Sequence, residues 1–247
     1  LMEGFDQMME NKYDVRLKVW GDYACFTRPE FKVERVSYPV ITPSAARGAL
    51  EAIYWKPEFH YYIRGIHILK MGSQTTVLRN ELSHYQEEDK PLIIEDRRQQ
   101  RTSLILKDVA YIIFADIVPR IHAPNPKSAY IDQFERRVKR GQYYHRPYFG
   151  CREFAADFAF PEYDDKADPN ISMTIGTMVC DLAYVKSDTG TLQFFRPRLK
   201  DGRQEIVQGH RVIVTFTAMV KEGIMSIPVE TYQKIRVLED DYDSCIN

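Results

Sequence analysis

Thr42-Pro43-Ser44-Ala45-Ala46-Arg47-Gly48-Ala49-Leu50-Glu51-Ala52-Ile53 reads as a short helix seated on a sheet. Thr42 is a natural N-cap, and Pro43 suits the first helical position because the N–H it lacks would have no intrahelical partner there. Ala46, Ala49, Leu50 and Ile53 recur at helical spacing, and the small alanines let the helix approach a sheet closely. Pro57 ends it. Upstream, Tyr13-Asp14-Val15-Arg16-Leu17-Lys18-Val19 alternates strictly, with Val15, Leu17 and Val19 on one face, as a half-buried strand does. Residues 20–32, with Gly21, Pro29 and several aromatics, read as a loop. Downstream, Ile63, Ile66 and Ile68 mark a strand over 61–70, bulged at Gly65, and 75–79 is expected to pair back with it.

Residues 81–100 are polar and aperiodic, which predicts an exposed loop. The runs 102–106 and 109–118 are β-rich and predict a hairpin turning at Lys107-Asp108. Pro119, Pro124 and Pro126 break the chain. A second helix follows from Lys127 to Arg140, with Tyr130 or Ile131, Phe134 and Val138 as its apolar stripe and Gly141 after its end. The order strand, helix, strand, strand, helix, strand predicts an α+β fold with a ferredoxin-like, or RRM-like, N-terminal domain. After Gly150 the chain is mostly β: Met173–Tyr184, Thr191–Phe195, Arg211–Val220 and Ile224–Pro228 read as strands, with Lys221-Glu222-Gly223 as a hairpin turn. The expected division is 11–158 for the first domain and 159–238 for a β-rich C-terminal extension. The acidic tail Glu239-Asp240-Asp241-Tyr242-Asp243 is expected to be solvated.

Of the 247 residues, 44% are hydrophobic, and the 16 Tyr and 13 Phe are enough for a packed core, which excludes disorder for the bulk of the chain. No apolar run approaches the roughly 18 residues that span a bilayer, and the first ten residues lack a leader pattern. Net charge is −1, from 34 Lys+Arg against 35 Asp+Glu. That excludes a globally basic polyanion binder and leaves a local basic groove open. Cys25, Cys151, Cys180 and Cys245 are far apart in sequence, so neither a C-x-x-C zinc knuckle nor a disulfide framework is expected, and free thiols fit a reducing cytoplasm.

The densest chemical signal is 136–152. Arg136, Arg137, Lys139, Arg140, Arg146 and Arg152 interleave with Tyr143, Tyr144, His145, Tyr148 and Phe149. Cations that neutralise phosphates and rings that stack bases are what a single RNA strand needs. The same composition also fits a solvated helix face followed by an aromatic loop packed on the core. A second cluster holds Arg97, Arg98 and Arg101 with Gln99 and Gln100: Arg forks clamp phosphate and Gln reads base edges, although a charged loop is also only a charged loop. Tyr38, Thr42, Ser44 and Arg47 gather at the N-terminus of the first helix, where an anion is favoured; ordinary capping by Thr42 is the alternative. Among the histidines, His60, His67 and His84 read as structural or solvated, and His122 and His145, flanking the second helix, are the acid–base candidates. H-E-x-x-H, P-loop, G-x-S-x-G and G-x-G-x-x-G patterns are absent from the sequence. This residue set suits metal-independent RNA cleavage, where the substrate's own 2′-OH attacks the adjacent phosphate and the protein supplies geometry, protons and charge.

Several motifs, in order, resemble the type I-C branch of the CRISPR-associated Cas5 family of RAMP proteins. They are Val19-Trp20-Gly21-Asp22-Tyr23-Ala24-Cys25-Phe26-Thr27-Arg28-Pro29-Glu30, Val33-Glu34-Arg35-Val36-Ser37-Tyr38, Thr42-Pro43-Ser44-Ala45-Ala46-Arg47-Gly48, Ile53-Tyr54-Trp55-Lys56-Pro57, Arg97 to Arg101, and Gly150-Cys151-Arg152-Glu153-Phe154. The resemblance implies an endoribonuclease that recognises the repeat hairpin of precursor CRISPR RNA, cleaves at its 3′ base without a metal or other cofactor, and stays on the 5′ handle. It further implies a place in the type I-C interference complex beside the backbone RAMP subunit and the large subunit, and no membrane. The family's Tyr and Lys-His catalytic positions fall on Pro43, Ala129 and Tyr130 here, so the resemblance leaves Lys127, Tyr130, His122 and His145, with Arg47, as the catalytic candidates, or else a silent RNA-binding subunit. Tyr38, Arg97, Arg98, Arg101, Arg136, Arg137, Arg140, Tyr144, Arg146 and Arg152 are the RNA-binding candidates. If the start of the second helix lies beside the N-terminus of the first, Tyr130 and Lys127 approach Arg47.

Overall fold

A computed structural model describes residues 13–31, 33–82, 95, 98–197 and 203–239. Strand β1 (Val15–Ala24) leads to helix α1 (Pro43–Ile53), then to strands β2 (Phe59–Lys70), β3 (Ser73–Leu82) and β4 (Arg98–Pro119), helix α2 (Lys127–Lys139) and the short strand β5 (Asp157–Ala159). In the main sheet the order is β5-β1-β4-β2-β9, where β9 is Ile224–Ser226, and β3 pairs the free length of β4. Each pairing is antiparallel. This interleaved order follows from the β-α-β-β-α-β reading, since each helix carries the chain across one intervening strand. A second sheet, β6-β8-β7, comprises β6 (Met173–Lys186), β7 (Leu192–Pro197) and β8 (Gln204–Val220), and helix α3 (Val229–Leu238) follows β9. Among the described residues no helix is long and apolar enough to cross a membrane.

Local signals set both crossover helices. The Thr42 hydroxyl accepts from the Ala45 N–H at 3.3 Å, and α1 buries Ala46, Ala49, Leu50 and Ile53 as its spacing requires. Helix α2 buries Tyr130, Phe134 and Val138. These stripes meet Val15, Leu17 and Val19 in one core that continues through Met178, Cys180, Val214 and Phe216 of the second sheet.

Four local expectations are corrected. Strand β1 runs on to Ala24, because residues 20–24 keep their ladder partners on β4 down to Ala24 opposite Leu106. Lys107-Asp108 is not a hairpin turn. Asp108 has the positive φ of 64° that a turn would show, but β4 passes straight through it and changes partner there, from β2 (Lys70 opposite Ala110) to β3 (Ser73 opposite Lys107). Residues 75–79 therefore pair with β4, not with 61–70, and the chain within 81–100 contributes strand at both of its described ends. The Lys221-Glu222-Gly223 turn stands as expected, with Glu222 at φ 50° and Gly223 at φ 76°, and it carries the chain from the second sheet back to β9 on the main one.

Candidate nucleic-acid interface

The C-terminal turn of α1 ends with carbonyls that have no helical partner. Arg137 Nη1 donates to the Ile53 carbonyl at 2.6 Å, and its guanidinium lies 5.2 Å over the Tyr54 ring. The backbone N–H groups of Tyr144 and His145 both reach the Ala52 carbonyl, at 2.8 and 3.3 Å. The loop after α2 is thus folded back onto the end of α1. Its backbone is fixed while its side chains point outward. Tyr144 is 86% exposed, and Arg136, Arg140, His145, Arg146 and Arg152 are exposed with it. The His145 ring stacks at 6.0 Å and 30° on Tyr148, and its Nδ1 lies 3.2 Å from the Arg146 carbonyl. Arg146 pairs with Asp157 at 3.0 Å where both are open to solvent, and Arg136 bonds Gln133 at 2.5 Å; such exposed contacts cost little to exchange for a phosphate. Of the 136–152 cluster, Phe149 is the aromatic that packs into the core, and Arg137 acts as a cap; the rest forms a basic, aromatic surface.

The catalytic candidates are dispersed. Tyr130 is buried, 5.1 Å from the Phe59 ring, and its hydroxyl donates to Glu58 Oε2 at 3.0 Å; burial and that carboxylate both raise its pKa. Lys127 is bound to Asp14 at 2.6 Å, and Asp14 also accepts the Ile117 N–H. Beside them, burial and the Asp14 charge push the Asp116 carboxyl up, while Arg64 and Lys127 pull it back. Arg47 is clamped by Asp181 at 2.6 and 2.8 Å and by Glu51 at 2.7 Å. Burial opposes its charge, but the two carboxylates outweigh burial and hold it protonated. The ring nitrogens of His122 are buried without a hydrogen-bond partner among the described residues.

The expected approach of Tyr130 and Lys127 to Arg47 is not what the chain adopts. Arg120 N–H bonds the Glu58 carbonyl at 2.7 Å and Tyr130 meets Glu58 and Phe59, so the start of α2 is held by the segment that follows α1. Tyr54 there is seven residues beyond Arg47, about 10 Å along the helix at 1.5 Å per residue. The physical reason is which partners each side chain finds: Glu58 and Phe59 hold Tyr130, Asp14 holds Lys127, and Asp181 with Glu51 holds Arg47. Tyr38 is likewise interior. It is 2% exposed, its hydroxyl donates to the Thr177 carbonyl at 3.3 Å, and Arg28 covers its ring at 4.7 Å, so it supports the core rather than a ligand.

On the β3–β4 arm, Arg98 is exposed, and Arg101 is shared between Glu81 at 3.2 Å and Gln99 at 3.1 Å; Arg97 lies outside the described residues. Sequence reading missed a contact beneath this arm, where Cys25 and Cys151 meet below Arg35. It also missed a cleft of about 570 Å³ between α1, β7 and α3, lined by Trp55, His60, Arg120, Tyr184, Phe194 and Arg211. Among the candidates above, Arg47 alone lines that cleft.

Sheet, crossover helices and loop together define an α+β protein whose basic, aromatic surface is suited to a single nucleic-acid strand. Residues 14–177 match the family of CRISPR-associated proteins described as Cas5, in its Cas5d form, and the chain belongs to that family. It is 52% identical to a Thermus thermophilus protein named CRISPR pre-crRNA endoribonuclease Cas5d, over 92% of this chain and 97% of that protein. A Mannheimia succiniciproducens protein of the same name is 42% identical, over 76% of this chain and 92% of the relative. Among solved structures, a crystal structure of a CRISPR-associated protein shares the fold at a TM-score of 0.58 and 18% identity, covering 87% of this chain and 92% of the other.

Proposed function

We propose that the chain is an endoribonuclease that cuts precursor CRISPR RNA without a metal ion, at the 3′ base of the repeat hairpin, and keeps the 5′ handle in a type I-C interference complex beside the backbone RAMP subunit and the large subunit. The observation that carries this reading is the 52% identity, over 97% of its length, to the Thermus thermophilus protein named CRISPR pre-crRNA endoribonuclease Cas5d. The loop after α2 supports it. In the proposed reaction the 2′-oxygen attacks the adjacent phosphorus and gives up its proton, the P–O5′ bond breaks, and the departing oxygen takes a proton. The products are a 2′,3′-cyclic phosphate and a 5′-hydroxyl. His145 is the proton carrier best placed for an exposed strand, and Arg136, Arg140, Arg146 and Arg152 hold the phosphates.

A second reading, a silent subunit that only binds the handle, is favoured by the engagement of Tyr130 with Glu58, Lys127 with Asp14 and Arg47 with Asp181. Incubating the protein with its repeat RNA in EDTA separates the two. Cleavage that survives the chelator, yields a cyclic phosphate and is abolished by a 2′-deoxy nucleotide 5′ of the scissile bond supports the first. Tight binding without product supports the second.

A further inference from the structure

Just beyond β1 the chain passes Cys25, and the loop after α2 returns to the same place at Cys151. The Cys25 N–H donates to the Phe149 carbonyl at 3.0 Å. Gly150, at φ 79°, presses so close that a β-carbon there would stand 2.0 Å from the Cys25 carbonyl oxygen. Both cysteine side chains belong to one small buried cluster with Ile105, under Val77 and Phe154. Arg35 Nη1 donates to Cys151 Sγ at 3.1 Å, and Arg79 Nη1 stands 4.0 Å from the same sulfur. The Thr27 hydroxyl lies 3.5 Å from Cys25 Sγ. Arg35 is shared with Glu81 at 3.5 Å, and Arg79 is paired with Glu153.

Two guanidinium groups beside one sulfur, with a second thiol in the same small cluster, make a nucleophile beside its own resolving group. We propose that Cys151 is a hydroperoxide-reactive modification site and that Cys25 resolves it into a disulfide. The Cys151 thiolate attacks hydrogen peroxide, the O–O bond breaks, and the sulfur becomes a sulfenic acid as hydroxide leaves. The Cys25 sulfur then attacks that sulfur, the S–O bond breaks, and the Cys25 proton leaves with the oxygen as water. Sulfur loses two electrons overall and the peroxide gains them.

The charges around the pair agree with these roles. The neighbouring Cys25 thiol lowers the Cys151 pKa, against burial; Arg35 lowers it further and Glu153 opposes. Cys25 is raised by the neighbouring Cys151 and by burial, so it keeps a proton to give. Exposure assigns the order, since Cys151 is 7% exposed and Cys25 1%. Cys180 is an internal control: it is fully buried, and burial pushes its thiol up to about 12.

The test uses the full chain with Cys245→Ser, treated with limiting hydrogen peroxide and read by thiol counting and peptide mass mapping. The expected result is loss of two thiols and one linked Cys25–Cys151 peptide. In Cys25→Ser the reaction should stop at a sulfenic acid on Cys151, trapped by dimedone. Arg35→Leu should slow Cys151 consumption about tenfold, through a smaller thiolate fraction, and dithiothreitol should restore both thiols. A pair that stays reduced while a free cysteine peptide is fully oxidised overturns the proposal, and so does reaction of Cys180 or Cys25 ahead of Cys151. These readouts do not use RNA, so they stand or fall apart from the cleavage assay.

Discussion

Tyr130 and His145 divide the labour that sequence reading assigned to either. The Tyr130 ring fills the core against Phe59 and its hydroxyl is held by Glu58. His145 is exposed at the end of a fixed backbone. Tyr130→Phe should therefore cost about 1 kcal/mol for one hydrogen bond and leave the cleavage rate within about threefold. His145→Ala should lower that rate roughly 10²-fold or more, the scale of a general acid–base group, with little change in affinity. The opposite pattern in single-turnover kinetics would move the proton carrier to the start of α2. Lys127 has a structural task that pH reveals. Burial and Asp14 raise the Asp116 carboxyl, and Arg64 and Lys127 offset the rise. A carboxyl raised in the folded state holds its proton more tightly there. Its contribution to stability is therefore full below the unfolded value of about 3.9 and is lost as pH rises through the folded value. Lys127→Ala removes one offsetting cation, so it should lower the urea midpoint more at pH 7 than at pH 3. Equal losses at the two pH values would contradict this account.

At the scale of elements, α2 shows both how much the sequence tells and where it stops. The spacing Tyr130, Phe134, Val138 is local, and it names the buried stripe. The neighbouring arginines look alike in sequence, yet Arg136 faces solvent while Arg137 turns inward to cap α1 through the Ile53 carbonyl, a distinction set by a tertiary partner. The salt dependence of RNA binding should report it. Arg136→Ala, Arg140→Ala and Arg146→Ala should each flatten the slope of log affinity against log salt by up to about one unit. Arg137→Ala should leave the slope nearly unchanged and lower thermal stability. Identical slopes in all four variants would place the RNA elsewhere. Strand β4 illustrates what composition hides. Asp108 has the dihedral angle of a turn, and the change of partner from β2 to β3 depends on pairings that no short window contains. The Cys25–Cys151 contact was invisible for the same reason: two distant segments meet only once β1 and the loop after α2 share a sheet end.

Across the whole molecule, the second sheet is bound to the first by chemistry as well as by shared core. Arg47 on α1 holds Asp181 on β6 through two hydrogen bonds, with the carboxylate side chain 7% exposed. Tyr232 on α3 stacks on Tyr62 of β2 at 4.6 Å, and its hydroxyl accepts the Ile63 N–H at 3.0 Å. Strand β9 closes the β2 edge. Residues 159–238 therefore supply part of the packing surface of 11–158, and the two spans should unfold together. Calorimetry of the full chain should give one transition whose van't Hoff and calorimetric enthalpies agree. Arg47→Ala strips the buried Asp181 of its cation, which for a partly exposed pair should cost about 3 kcal/mol. The Arg47→Ala, Asp181→Ala double variant should lose less than the sum of the singles, because the second change removes a charge that the first left unpaired. That single transition should move down in temperature for each variant without splitting. Two resolved transitions in the unmodified chain, or strict additivity in the cycle, would show that the sheets are stable separately and that the Arg47–Asp181 pair does not join them.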